Sequence, residues 1–285
     1  MCWGILRDEF RLVQFRLLHP NAEDFAQSPW FGVLVVLMYR FAVAAFCTGW
    51  MISSLIRKNW FLWLSNWSFL VVTVYFICAT IVTAFHYKRE RKPAGKIASD
   101  QMKNGEANST SKAKCAADSD GSVNDIVEMH FTSDAFEASR ALPMAWFHEA
   151  LWVIYNIASV AAIMVTLSFW LLLFNADKGV RAVTVILHGV NSIVMVGDTM
   201  LSSIPVRLFH VIYPMLYCIV YVMFTVIYWA AGGHNYIYPQ TDYTGRPILA
   251  AVSQLCLFFI GLPLFQSVMF GFYRLRVWIK TKNGK

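Results

Sequence analysis

Charged residues are scarce in this sequence. Asp, Glu, Lys and Arg make up 14% of its 285 residues, whereas hydrophobic residues make up 58%. A soluble domain of this size could not keep so much apolar surface away from water, so the composition excludes that class and indicates a membrane protein. Acidic residues are the rarer kind, with 17 Asp and Glu against 24 Lys and Arg. We attribute the basic excess to cytoplasmic loops and contact with anionic membrane lipids, and we exclude nucleic acid as a partner.

Disulfide and metal-binding patterns are also lacking. None of the six cysteines shows a paired or metal-type spacing, and the seven histidines form no metal-ligand pattern. We therefore expect reduced cysteines, no metal and no cofactor. We also expect no cleavable signal peptide, because three arginines precede the first apolar run at Trp30. No internal repeat of the transporter kind is present.

Long apolar runs, in contrast, are abundant. Six of them are each long enough to cross a hydrocarbon core of about 30 Å. They lie near residues 31–53, 61–85, 147–173, 180–202, 208–231 and 248–272. The sequence therefore predicts an all-α fold, a bundle of six transmembrane helices.

The segments around these runs complete the predicted organisation. Residues 1–29 form a cytoplasmic segment in which apolar residues repeat at three- and four-residue steps, which predicts an amphipathic helix at the membrane interface. Residues 30–85 hold the first two spans, and 147–272 hold the other four. The polar stretch 86–146 between them is predicted to be a largely disordered cytoplasmic loop. Residues 273–285 are predicted to be a basic cytoplasmic tail.

The distribution of basic residues predicts the orientation. If the N-terminus is cytoplasmic, eighteen Lys and Arg lie in cytoplasmic segments and five in outer ones. Because cytoplasmic loops of membrane proteins are enriched in Lys and Arg, we expect both termini to be cytoplasmic.

The fourth span carries an unusual set of polar residues. At 100° per residue, His188, Asn191 and Asp198 fall on one stripe of the helix together with Thr184 and Met195. Polar groups at membrane depth usually face a bundle interior or a cavity, which makes them candidates for function. The alternative is that they only form hydrogen bonds between helices.

The depth of polar residues in the membrane predicts two pairs of neighbouring side chains. Ser65 lies roughly 6 Å and His188 roughly 12 Å inside the outer ends of their spans, at about 1.5 Å per residue. A hydroxyl beside an imidazole is the minimal nucleophile and base for acyl transfer, although each group could equally bond within its own helix or to a neighbour. Arg40 and Asp198 both lie in the inner half, and we predict a structural ion pair between them because an unpaired charge there is unfavourable.

Five short motifs also carry a family likeness. They are residues 188–192 (HGVNS), 205–208 (PVRL), 231–233 (AGG), 236–239 (YIYP) and 63–67 (WLSNW). Together they resemble the rolling stone family of multi-pass animal membrane proteins, whose fly founder is implicated in myoblast fusion. The likeness runs from Trp30 to about Arg276, except for the polar loop. It implies a plasma-membrane protein acting in cell–cell fusion or a related developmental step.

A more distant similarity implies an activity. The rolling stone family is similar to the androgen-induced-gene family, six-span hydrolases that cleave fatty-acid esters with a threonine nucleophile and a histidine. Their His-Gly motif is matched here by His188 and Gly189, and the position of their threonine by Ser65. The alternative function is therefore an intramembrane hydrolase of a lipid ester, in which Asn191 orients the imidazole or donates to an oxyanion and Tyr238 caps the entrance. Membrane lipids are the expected partners, with a lipid ester as the substrate of the alternative function, and the sequence does not identify a protein partner.

Overall fold

The computed structural model of this protein describes residues 9–56, 58–91, 143–174, 182–233 and 236–283. Six of its helices are long and apolar enough to cross a membrane. They are α1 (Val33–Ser54), α2 (Leu64–Glu90), α3 (Trp146–Leu173), α4 (Ala182–Leu201), α5 (Leu208–Ala230) and α6 (Pro247–Asn283). The described part of the chain contains no β-strand. The predicted fold, an all-α bundle of six spans, is confirmed.

The largest difference from the predicted spans is at the end of α6. This helix continues to Asn283, through most of the stretch that we predicted as a basic tail. Lys280 and Lys282 lie in its last turn, where cations interact favourably with the helix dipole. At the other end of α6, Pro247 occupies the first turn, a position where its missing N–H is not needed by the helix. The helix therefore extends well beyond the length that a bilayer requires.

Helices α2 and α3 form the centre of the bundle. Half of the most apolar stretch of each helix is buried within the protein, against 11% for α6, so most of the surface of α6 is left for contact with lipid. The core between them is built from large side chains that are fully buried, such as Tyr75 and Phe76 of α2 and Trp152 and Tyr155 of α3. Aromatic side chains contribute large buried areas, and they dominate the packing here.

The segment before α1 packs into the bundle rather than beside it. Phe25 is fully buried and its ring contacts Trp152 edge-on, with ring centroids 5.5 Å apart. Trp30 donates its indole N–H to the carbonyl of Met200 at 2.7 Å. We predicted residues 1–29 as an interfacial segment, but from Ala22 onward this stretch closes one end of the bundle. Apolar periodicity alone cannot distinguish a lipid surface from a protein surface.

The start of the predicted interfacial helix lies outside the described residues. Its described part is a single 3₁₀ turn, Leu12–Phe15, whose Phe15 ring stacks on Phe209 with centroids 4.3 Å apart. The predicted disordered loop also falls largely outside them, except that α2 continues to Glu90.

Because the number of spans is even, the residues before α1 and after α6 lie at the same end of the bundle. We call this end the termini end and the opposite end the distal end. The α1–α2 and α5–α6 connections lie at the distal end, and so do the end of α3 and the start of α4. In the α5–α6 connection, Gly232 has a φ of 88°, directly after Ala231, the residue that caps α5. This left-handed conformation ends many helices and favours glycine. The cytoplasmic location of the termini remains a prediction.

Candidate functional site

A cavity of about 430 Å³ opens among the helices at the distal end. It lies between α2, α3, α4, α5 and α6, and residues 237–241 of the α5–α6 connection cover part of it. Its wall is mainly apolar, with a small number of polar side chains that include Ser65, His188 and Tyr238. This size and this lining are typical of binding sites for small molecules, which are mostly apolar with a few placed polar groups.

Each of three helices contributes a π-helical turn to this region. The turns are Phe169–Leu173 of α3, Ile186–Val190 of α4 and Leu257–Gly261 of α6. Every one of them supplies at least one residue to the cavity wall. Such turns are rare and occur frequently at functional sites, because the extra residue changes the direction of a side chain. Their concentration around one cavity indicates a site rather than a packing defect.

Ser65 lies in the first turn of α2. The α5–α6 connection contacts the start of that helix through Tyr238. The hydroxyl of Tyr238 accepts a hydrogen bond from the backbone N–H of Leu64 at 3.0 Å. The ring of Tyr238 also meets the ring of Trp63, the residue before α2, edge-on at 5.6 Å. Burial raises the pKa of Tyr238 to about 12, so the hydroxyl stays protonated at neutral pH. Tyr238 thus fixes the helix end that carries Ser65.

Stacking holds the imidazole of His188 in place. Its ring lies parallel to the ring of Phe169, with centroids 3.8 Å apart and an angle of 5° between the planes. The backbone carbonyl of His188 accepts the indole N–H of Trp170 at 2.7 Å. Nδ1 is buried without a hydrogen-bond partner, so no carboxylate of the described residues orients this ring. Because Nδ1 has almost no exposed surface, Nε2 is the ring nitrogen that a ligand could reach.

Of the four residues predicted for a catalytic site, the cavity brings three together. Ser65, His188 and Tyr238 line it, although no hydrogen bond joins Ser65 to His188 within the described part of the chain. Asn191 does not line it: its side-chain amide donates to Ser68 of α2 at 3.0 Å. Asn191 thus links α4 to α2, and neither its side-chain oxygen nor Nδ1 of His188 has a hydrogen-bond partner among the described residues. The stripe that we drew on α4 assumed a regular α-helix, whereas the π-helical turn before Asn191 changes the angle between the two side chains.

Arg40 and Asp198 lie in the core near the termini end, and both are fully buried. Arg40 Nε donates to Asp198 Oδ1 at 3.2 Å. Arg40 Nη1 donates to the carbonyl of Phe25 at 2.7 Å and to the hydroxyl of Thr83 at 2.8 Å. The hydroxyl of Tyr75 donates to the second carboxylate oxygen of Asp198. Buried charges are tolerated when they are paired and hydrogen-bonded in this way.

A second buried arginine lies next to this pair, and the sequence did not reveal it. We counted Arg276 among the basic residues of a tail, but it is only 4% exposed and lies against the end of α4. It donates to the carbonyls of Thr199 at 2.7 Å, Ile204 at 3.1 Å and Ser202. A cation at a helix C-terminus satisfies carbonyls that have no partner within the helix. No motif or spacing in the sequence marks Arg276, because its partners are backbone carbonyls 72 to 77 positions away along the chain.

These features define a class, an α-helical multi-pass membrane protein with a ligand-sized cavity at one end of its bundle. The family described as Protein rolling stone matches residues 122–282, more than half of the chain. Protein rolling stone of Drosophila melanogaster is 24% identical over 255 residues, which cover 85% of this chain and 78% of the fly protein. The chain belongs to the rolling stone family. No solved structure matches it.

Proposed function

We propose that this protein is an intramembrane hydrolase of lipid esters, with Ser65 as the nucleophile and His188 as the base. The observation that supports this proposal is that both side chains line one apolar cavity of ligand size. A hydroxyl and an imidazole in such a cavity are the minimum that acyl transfer requires. The apolar wall suits an acyl chain that enters from the membrane.

The reaction would proceed in two steps. The Ser65 oxygen attacks the acyl carbonyl carbon while its proton passes to Nε2 of His188. The bond between that carbon and the alcohol oxygen then breaks, and the alcohol leaves with the proton from His188. Water, deprotonated by His188, next attacks the acyl-Ser65 ester, which releases the fatty acid and restores both side chains.

The start of α2 would assist the first step. The N-terminus of a helix carries a partial positive charge, which favours the oxyanion of the tetrahedral intermediate. Ser65 lies at this helix end, and Tyr238 fixes it through the backbone of Leu64. In this mechanism, Tyr238 is a positioning residue, and Phe169 holds the base by stacking. Asn191 has no contact with the reacting groups in this proposal.

Covalent labelling tests the nucleophile. We expect a fluorophosphonate carrying an alkyl chain to label the purified full chain, and peptide mass spectrometry to locate the label on Ser65. Ser65→Ala should remove the label because it removes the hydroxyl that His188 is proposed to activate. Ser68→Ala serves as the matched control, because Ser68 lies one turn further along α2 and bonds Asn191 instead of lining the cavity. A label on another residue, or one that persists in Ser65→Ala, would refute the proposal.

A role in cell–cell fusion at the plasma membrane, including myoblast fusion, is the second proposal. Membership of the rolling stone family is the observation that favours it. Deleting the gene from cultured myoblasts should lower the fraction of multinucleate cells, and the full chain should restore that fraction. Rescue by Ser65→Ala as well would assign fusion to a non-catalytic activity of the protein. Normal fusion after deletion would refute this role.

A further inference from the structure

A second cavity, of about 220 Å³, lies beside the first at the distal end. Four aromatic side chains and one carboxylate line it: Tyr228, Trp229, Tyr236, Tyr243 and Asp242. The two cavities share three wall residues, Thr225, Ile237 and Thr241. We call this second cavity the aromatic pocket. Tryptophan and tyrosine at a helix end are commonly single residues of an interfacial belt, but here four of them surround one space.

The polar atoms of two of these rings are already bonded. The indole N–H of Trp229 donates to the hydroxyl of Thr244 at 2.8 Å. The hydroxyl of Tyr243 accepts the amide of Gln254 at 2.8 Å and lies 2.7 Å from the hydroxyl of Thr225. Since Thr225 donates its own proton to the carbonyl of Val222, the hydroxyl of Tyr243 is the donor to Thr225. These two side chains can therefore contact a ligand through their rings, whereas their polar atoms are not free to bond it.

The rings are also held at fixed angles. The centroids of Trp229 and Tyr243 are 5.7 Å apart, and their planes are tilted by 58°, so the two rings form a corner. Tyr228 is fixed by the backbone of the α5–α6 connection, which folds back so closely that a Cβ at Gly233 would lie 2.5 Å from the Tyr228 ring. A side chain at position 233 would therefore displace one wall of the aromatic pocket.

The charge in the aromatic pocket is negative. Asp242 accepts the backbone N–H of Gly245 at 2.7 Å, and its carboxylate forms no ion pair with a lysine or arginine of the described residues. A carboxylate beside aromatic side chains attracts a cation. Four aromatic side chains around one space suit a quaternary ammonium, because its charge is spread over methyl groups that can contact the rings. A primary ammonium could also donate to Asp242, so the preference for a quaternary ammonium rests on the aromatic side chains.

We propose that the aromatic pocket binds the trimethylammonium group of a choline lipid whose acyl chain occupies the neighbouring apolar cavity. The shared wall allows one molecule to reach both cavities. The rim of the aromatic pocket lies where α5 ends, at the depth of lipid headgroups, with Trp229 and Tyr236 about half exposed. The inference rests on the proposed function in one respect, because it names the headgroup class of the lipid ester that Ser65 would attack.

Binding to the Ser65→Ala protein tests this assignment without turnover. The purified full chain in a maltoside detergent is titrated with lysophosphatidylcholine, lysophosphatidylethanolamine and lysophosphatidylglycerol that carry the same acyl chain. We expect the choline lipid to bind about tenfold more tightly than the ethanolamine lipid, because a cation–π contact away from water changes affinity by about this factor. Choline chloride alone should bind at least about tenfold more weakly than the choline lipid, because it leaves the apolar cavity empty.

Variants of the aromatic pocket complete the test. Trp229→Leu and Asp242→Asn should each abolish the preference for choline, whereas Tyr243→Phe keeps a ring and should retain it. Trp278→Leu is the matched control, an exposed tryptophan of α6 far along the helix from this cavity. Equal affinity for the choline and ethanolamine lipids, or an unchanged preference in Trp229→Leu, would overturn the proposal.

Equal affinity for choline chloride and the choline lipid would show that the ligand of the aromatic pocket is not a lipid. A Ser65→Ala protein that still hydrolyses esters would refute only the hydrolase, because the headgroup preference is measured separately.

Discussion

Asp198→Ala is expected to destabilise the folded protein by roughly 3–5 kcal/mol, the usual effect of removing one partner of a buried ion pair. Asp198 accepts from Arg40 and from Tyr75, and all three side chains are fully buried. Without the carboxylate, the guanidinium of Arg40 keeps its bonds to Phe25 and Thr83 but loses its counter-charge. The midpoint of thermal unfolding of the purified protein in detergent measures the loss, and we expect reduced expression in cells.

Adding Arg40→Leu to Asp198→Ala should recover much of that stability. The double variant no longer holds an unpaired buried charge, although Tyr75 and the Phe25 carbonyl each lose a partner. Arg246→Leu is the control, since Arg246 is exposed at the distal end and its removal should leave the midpoint unchanged. If the double variant is as unstable as the sum of the two single variants, the energies of Arg40 and Asp198 are not coupled.

His188→Ala is expected to lower the rate of ester hydrolysis by about 10²- to 10⁴-fold, the range for removal of a general base. The protein should remain folded, because the imidazole is held mainly by stacking on Phe169 and its Nδ1 has no hydrogen-bond partner to lose. The turnover number with a fluorogenic long-chain ester measures the effect, with the unfolding midpoint as a check on folding. Free imidazole should restore part of the activity of His188→Ala by occupying the space that the ring left.

Two further variants distinguish the catalytic role of the site residues from their role in packing. Phe169→Leu removes the stacking partner but keeps the base, so turnover should fall by less than in His188→Ala. Ser65→Thr keeps a hydroxyl at the start of α2 and should retain measurable turnover, whereas Ser65→Ala should not. Full activity in His188→Ala would show that the imidazole only fills space beside the cavity.

The sequence by itself determined the membrane-spanning part of this protein. A hydrocarbon core of about 30 Å requires about 20 apolar residues in a row, so the apolar runs predicted the number of spanning helices and their approximate positions. The same physics drew attention to Arg40, His188 and Asp198, since a polar group in an apolar run needs a partner or a function. The depth of Ser65 in its span and the family resemblance both selected this residue, and the structure places it on the same cavity as His188.

Only the tertiary structure decided how these residues are arranged. The bond between Tyr238 and the start of α2 joins residues 174 positions apart, and no local pattern encodes such a contact. The π-helical turns depend on packing between helices, and one of them turned Asn191 away from the imidazole. Burial of Phe25 and Arg276 also depends on neighbours that only the folded chain supplies. Hydrophobicity determines which segments enter the membrane, whereas contacts between distant segments determine which side chains face a cavity.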